Sequence, residues 1–195
     1  RTIRGSIARG GALIDLRHRG RRPGKPHLVV LCDVSGSVAL ASDLLLSLLA
    51  PLESAFASVR RYVFVDRPAL VAYEGGHIAP EDPFDPHAYS DLGATFLELE
   101  RREAGLLDRR SVLLVLGDAR NNRYPARPDA LRRLASQVRA VIFLVPEPRA
   151  RWNTGDSALA SYAPHVDLLL EATHVLDLLK GVRRAATAAR GRRMC

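Results

Sequence analysis

His27-Leu-Val-Val-Leu-Cys-Asp33 runs without interruption into Val34-Ser-Gly-Ser37, and this stretch decides the fold. An unbroken apolar run closed by an acid reads as a strand buried on both faces, and the small polar residues after it read as a tight loop. The Leu- and Ala-rich segment from Ser37 to Ala57 then reads as a helix. A buried strand feeding directly into a helix is the start of a parallel, crossover-connected sheet.

The same grammar continues in both directions. Arg61-Tyr-Val-Phe-Val-Asp66 and Ala69-Leu-Val-Ala-Tyr73 are strands separated by Arg67-Pro68, which predicts an antiparallel pair with the second strand at an edge. Glu74 to Ser90, with Gly75-Gly76 and three prolines, reads as an irregular loop. Helices are expected over Ala94–Leu107, Asp129–Gln137 and Val175–Ala189, and strands over Ser111–Asp118, Val141–Val145 and Val166–Leu170. Asp156-Ser157 is placed to cap a short helix. The expected fold is α/β, a three-layer α/β/α sandwich on a doubly wound, mostly parallel six-stranded sheet with one antiparallel edge strand. Ligands of such sheets bind beyond the carboxyl ends of the strands, where the strand order reverses. Asp33 and Asp118, each ending a strand, fall on that one rim.

Composition narrows the classes. A chain of 195 residues with 47% hydrophobic and 26% charged residues supports one core of ordinary size and argues against wholesale disorder. No apolar run approaches the roughly 20 residues that cross a bilayer, and no segment has signal-peptide order. Cys32 and Cys195 show neither metal spacing nor a disulfide framework, so a reducing cytoplasm is the expected compartment. The net charge of +8 resolves into +7 over residues 1–27, −5 over 28–179 and +6 over 180–195. A mildly acidic body with basic, aromatic-poor ends argues against nucleic-acid binding. The expected organisation is a basic lead-in at 1–26 from an upstream region, a domain at 27–190 and a basic tail at 191–195.

Chemistry concentrates in Asp33-Val-Ser-Gly-Ser37. Alternation puts Asp33, Ser35 and Ser37 on one side of the loop, with Gly36 expected to supply a backbone angle that other residues avoid. A carboxylate and two hydroxyls are hard oxygen donors suited to Mg²⁺ rather than zinc or copper. In isolation the motif is equally well a turn and a helix cap. No Gly-x-Ser-x-Gly, no phosphate-binding glycine loop and no second Asp at position 35 is present, which argues against hydrolase, nucleotide-binding and phosphotransfer sites.

With the rest of the chain, the pattern resembles the von Willebrand factor A (VWA) family and its metal-ion-dependent adhesion site (MIDAS). Asp33, Ser35 and Ser37 match the first loop of that site, Thr95 in Asp91-Leu-Gly-Ala-Thr95 the second, and Asp118 the third. The third loop departs from the family's frequent Asp-Gly, reading Asp118-Ala-Arg-Asn-Asn122. A narrower resemblance, to bacterial CoxE-like members, rests on three stretches. These are Val29 to Ser37, Gly117-Asp-Ala-Arg-Asn-Asn122, and Pro146-Glu-Pro-Arg-Ala-Arg-Trp-Asn-Thr-Gly-Asp-Ser157 with Tyr162-Ala-Pro-His165.

The resemblance implies a binding module rather than an enzyme. It would carry Mg²⁺, with Mn²⁺ or Ca²⁺ as alternatives, and leave one position open for an Asp or Glu carboxylate of a partner protein. It further implies a MoxR-type AAA+ ATPase as partner and a chaperone-like role in maturing a metalloenzyme such as carbon monoxide dehydrogenase. The alternatives are a metal-dependent hydrolase and an interaction domain with a vestigial metal site. Arg120, Asn121 and Trp152 are expected at the same rim as candidates for partner contact, and Asp91 as the cap of the helix that carries Thr95.

Overall fold

The structure is a computed structural model that describes residues 24–188 apart from residues 37, 75, 76 and 84. Seven strands form the sheet among the described residues: β1 (His27–Asp33), β2 (Ser58–Phe64), β3 (Pro68–Glu74), β4 (His77–Pro80), β5 (Ser111–Leu116), β6 (Ala140–Val145) and β7 (Leu168–Glu171). Their order is β4-β3-β2-β1-β5-β6-β7. β2, β1, β5, β6 and β7 run parallel, β3 is antiparallel to β2, and β4 is antiparallel to β3. The chain leaves β1 in one direction to build β2–β4 and returns to its other side as β5. The strand order therefore reverses between β1 and β5, where a parallel sheet opens a crevice.

The helices are α1 (Ala39–Leu49), α2 (Leu92–Arg102), α3 (Pro128–Gln137), α4 (Leu159–Tyr162) and α5 (Val175–Ala188). Alternation of side chains divides the core between them. Leu28, Val30, Cys32, Leu114 and Leu144 pack on one face with Leu45, Leu46 and Leu49 of α1 and Leu178 and Val182 of α5. Val29, Leu31, Val115 and Phe143 pack on the other with Phe96 and Leu99 of α2, Leu131 and Leu134 of α3, and Tyr162 of α4. Phe96 and Tyr162 meet edge to face at 5.2 Å. The three-layer α/β/α sandwich read from the sequence is the fold observed.

The expected six strands become seven, because β4 lies inside the segment read as irregular. His77-Ile-Ala-Pro80 has one strong β-former and ends on proline, so local propensity does not disclose it. It pairs with β3 through Tyr73–Ile78 and Ala72–Ala79 and takes the edge position assigned to Ala69–Tyr73. Proline is tolerated there because an edge strand has an unpaired side. The first helix is also shorter than expected: after Leu49 the chain tightens into a 3₁₀ turn over Ala50–Ala55, with Pro51 in its opening turn. Cys32 is fully buried, and burial pushes its thiol up to about 12, so it behaves as a small hydrophobe. No helix among the described residues is long and apolar enough to cross a membrane. Apart from Gly24 to Pro26, the basic lead-in and the tail lie outside the described residues.

Candidate metal centre

β1 and β5 are hydrogen-bonded neighbours in parallel register, with Cys32 opposite Leu116, so the chain delivers Asp33 and Asp118 side by side at the switch point. Gly117 makes this approach possible. A Cβ there would meet the Asp33 Cβ at 3.3 Å and its Oδ2 at 3.5 Å. Both carboxylates are almost fully buried, at 2% and 3% exposure. Each is oriented by the same local device, a backbone N–H two residues on. Ser35 N donates to Asp33 Oδ1 at 2.8 Å, and Arg120 N donates to Asp118 Oδ1 at 3.0 Å.

The Asp33–Ser35 loop is fixed from below as well. The buried Ser42 hydroxyl of α1 donates to the Asp33 carbonyl, and Val34 N donates to Phe64 O at 3.0 Å. The Ser35 carbonyl accepts from Val38 N and Ala39 N and so starts α1. Ser35 is half-buried, whereas Ser37 lies outside the described residues. Gly36 does not adopt the special backbone angle expected of it. It is absent from the left-handed region, and a Cβ added there would meet nothing within 4 Å.

Thr95 is carried by the first turn of α2. Asp91 caps that helix as the sequence suggested, accepting from Ala94 N at 2.8 Å, and the Thr95 hydroxyl donates to the Asp91 carbonyl at 2.8 Å. That bond uses the hydroxyl proton and leaves oxygen lone pairs for another acceptor role. Gly93 lets the helix sit against the third loop, because a Cβ there would lie 2.3 Å from Pro125 O. Asn121 completes the join. It is 1% exposed, accepts from Leu92 N at 2.7 Å and donates to Tyr124 O at 2.7 Å. Its side chain is thus spent on tying the second loop to the third.

The third loop is held in an unusual shape. Ala119, Asn122, Arg123 and Arg127 all have positive φ, between 45° and 62°. Each such residue costs on the order of 1 kcal/mol or more and persists only where its surroundings over-determine it. Here Asn122 N donates to Asp156 Oδ2 at 2.9 Å, its side chain donates to Ser90 O, and the Tyr162 hydroxyl donates to Ala126 O at 2.6 Å. Ala119, at φ 57°, stands where the family's frequent Asp-Gly places glycine, and it holds a left-handed angle that glycine adopts at less cost.

Arg120 extends across the same rim. Its Nη2 lies 3.1 Å from both oxygens of Glu147, and its Nη1 lies 3.4 Å from Asp156 Oδ1. Its Nε lies 3.7 Å from Asp118 Oδ2. Trp152 is half-buried against the core and donates from Nε1 to Glu147 O at 2.9 Å, with the Arg149 guanidinium 5.3 Å above its ring. Ser42 and Glu147 were not among the residues singled out by sequence, and Asp156 was noted there only as the cap of a short helix, whereas it pairs with Arg120 and accepts from Asn122 N. The only local hint is the Pro146-Glu-Pro148 frame around Glu147.

Burial gives Asp33 an electrostatic cost. Burial pushes the Asp33 carboxyl up to about 6; hydrogen bonds from Ser35 oppose the shift, and the Asp118 charge adds to it. Two buried carboxylates with the Ser35 hydroxyl beside Asp33 are hard oxygen donors and fit a hard divalent cation. Among the described residues no group of three or more His, Cys, Asp or Glu is placed to hold a metal, so hydroxyl donors are needed to complete such a site.

Residues 1–178 match the family described as VWA domain containing CoxE-like protein. No curated protein sequence matches the chain. A von Willebrand factor type A structure from Catenulispora acidiphila superposes with a TM-score of 0.59 at 10% identity, over 85% of this chain and 43% of that one. The ArnB paralog VWA2 from Sulfolobus acidocaldarius gives 0.52 at 13% identity, over 87% and 45%. Proximal thread matrix protein 1 from the mussel byssus, in a form with a zinc-occupied MIDAS motif, gives 0.57 at 13% identity, over 86% and 46%. The chain spans less than half the length of these three chains, and at such identities the likeness is one of fold.

Proposed function

The chain belongs to the CoxE-like family of VWA-domain proteins, and from that premise we propose that it is a metal-ion-dependent protein-recognition module rather than a catalyst. One observation carries the reading: two almost fully buried carboxylates, Asp33 and Asp118, stand together at the strand-order switch with the Ser35 loop between β1 and α1. Burial beside the Asp118 charge disfavours the ionised form of Asp33, and a divalent ion would relieve that cost.

Asp33 and Asp118 would supply the charge, and Ser35, Ser37 and Thr95 the hydroxyls. When bound, Mg²⁺, or Mn²⁺ or Ca²⁺ in its place, supplies a positive centre with one position open to an Asp or Glu carboxylate of a partner. The chain's own residues do the rest. Ser42 and Phe64 fix the first loop, Asp91 fixes Thr95, and Asn121 keeps the second and third loops in register. The family points to a MoxR-type AAA+ ATPase as the partner, and to maturation of a metalloenzyme such as carbon monoxide dehydrogenase as the setting.

Capture from a lysate of the source cell tests this, run with Mg²⁺, with EDTA, and with Ser35→Ala in Mg²⁺. An AAA+ ATPase or enzyme subunit recovered with Mg²⁺ and lost in the other two arms is the expected result. The same proteins in all three arms would contradict the proposal.

A further inference from the structure

Arg120 is the residue whose surroundings the recognition role does not explain. Three carboxylates face its guanidinium: Asp118, Glu147 and Asp156. Nη1 also lies 3.3 Å from Thr154 O, and a Cβ on Gly155 would come within 3.2 Å of it. The segment from Glu147 to Asp156 is therefore folded around this side chain. A guanidinium is a rigid planar fork, so it cannot close on one carboxylate without turning from the others. Its contacts with Glu147, at 3.1 Å to both oxygens, are the short ones, and its approach to Asp118 is the long one.

We propose that Arg120 is a built-in rival of the metal ion for Asp118, and that this rivalry couples the metal centre to the segment carrying Trp152. The inference rests on Asp118 being a metal ligand. An ion at Asp118 repels the guanidinium, lengthens its already long approach to that carboxylate and tightens its hold on Glu147 and Asp156. Glu147 holds the Trp152 indole through its carbonyl, and Asp156 holds the third loop through Asn122 N. Displacement of Arg120 therefore reaches both. By reciprocity, a partner that pulls Glu147 to Asp156 outward changes the affinity for the ion by the same factor. Arg120 is in this account a positioning residue, not a ligand and not a contact for the partner's carboxylate.

The signs are specific. Arg120→Gln removes the rival cation and tightens Mg²⁺ binding. Glu147→Gln removes the guanidinium's best partner, throws its charge onto Asp118, and weakens binding. Arg123→Gln removes the same charge from the same loop at an exposed position and serves as control. Trp152 is the chain's one tryptophan, so its emission reports the segment directly.

The experiment is calorimetric Mg²⁺ titration of the full chain with parallel tryptophan fluorescence, each variant first checked for cooperative melting in EDTA. Wild type should show an emission change that saturates with calorimetric binding. Arg120→Gln should bind about 5-fold tighter or more with the emission change lost, Glu147→Gln should bind more weakly, and Arg123→Gln should match wild type. Unfolding cannot mimic the outcome, since it does not tighten binding. The proposal is overturned if Arg120→Gln binds no tighter, if its emission still responds, or if Arg123→Gln moves affinity equally. Absence of Mg²⁺ binding by wild type would overturn the metal centre itself, and the coupling with it. Should Arg120→Gln not melt cooperatively, Glu147→Gln binding as tightly as wild type overturns the coupling.

Discussion

At the scale of single residues, Asp33 carries a stability cost within the candidate site. Its carboxyl ionises at about 6 in the folded chain against an ordinary 3.8, because it is buried beside Asp118. Between those pH values the folded state holds a proton that the unfolded chain has released. For this group the folded state therefore gains stability as pH falls from about 6 toward 4 and loses it as pH rises back through 6. In EDTA at pH 7.5, Asp33→Asn should raise stability by on the order of 2–3 kcal/mol and flatten the pH slope between 4 and 6. Chemical denaturation across that range checks both, and an unchanged slope would show that Asp33 is not the strained group. Asp33 and Asp118 could be read from sequence because each ends an apolar run and so has its place dictated by a strand. The partners of Arg120 could not, since Glu147 and Asp156 meet it across 27 and 36 positions of chain. Nothing local in Asp118-Ala-Arg-Asn-Asn122 announces them.

At the scale of elements, the site depends on where α2 begins. Asp91 caps it, Thr95 lies in its first turn, and Gly93 lets it rest on Pro125 and Ala126. Because the atoms a Cβ would strike there belong to the backbone, no side-chain rotation relieves the clash. Gly93→Ala should therefore cost about 1–3 kcal/mol and weaken Mg²⁺ binding by moving Thr95. Gly36→Ala, whose Cβ meets nothing within 4 Å, should leave the melting temperature close to wild type. Equal losses in the two variants would contradict this. Sequence reading assigned the special role to Gly36 because it sits inside the motif. The demand for glycine instead comes from packing against a distant loop, which no local pattern records. The short β4 escaped for a similar reason: His77-Ile-Ala-Pro80 becomes a strand through its pairing with β3, whereas β1, β5 and β6 are visible as unbroken apolar runs.

At the scale of the whole molecule, the chain builds one half of the sheet on one side of β1 and the other half on the opposite side. That topology opens the crevice, and both faces of the sheet are sealed by helices packed on buried apolar layers. The rim thus brings together three loops from distant parts of the chain, and on the proposed reading an ion that ties the Asp33, Thr95 and Asp118 loops together would stabilise the folded state as a whole. Thermal unfolding of the full chain in EDTA and in rising Mg²⁺, beside Ser35→Ala and Asp33→Asn, tests that claim most directly. Wild type should gain about 2.7 kcal/mol at a hundredfold excess over the dissociation constant, a rise on the order of 5–10 °C, while both variants gain far less. A melting temperature of wild type that does not move with Mg²⁺, Mn²⁺ or Ca²⁺ would contradict the account.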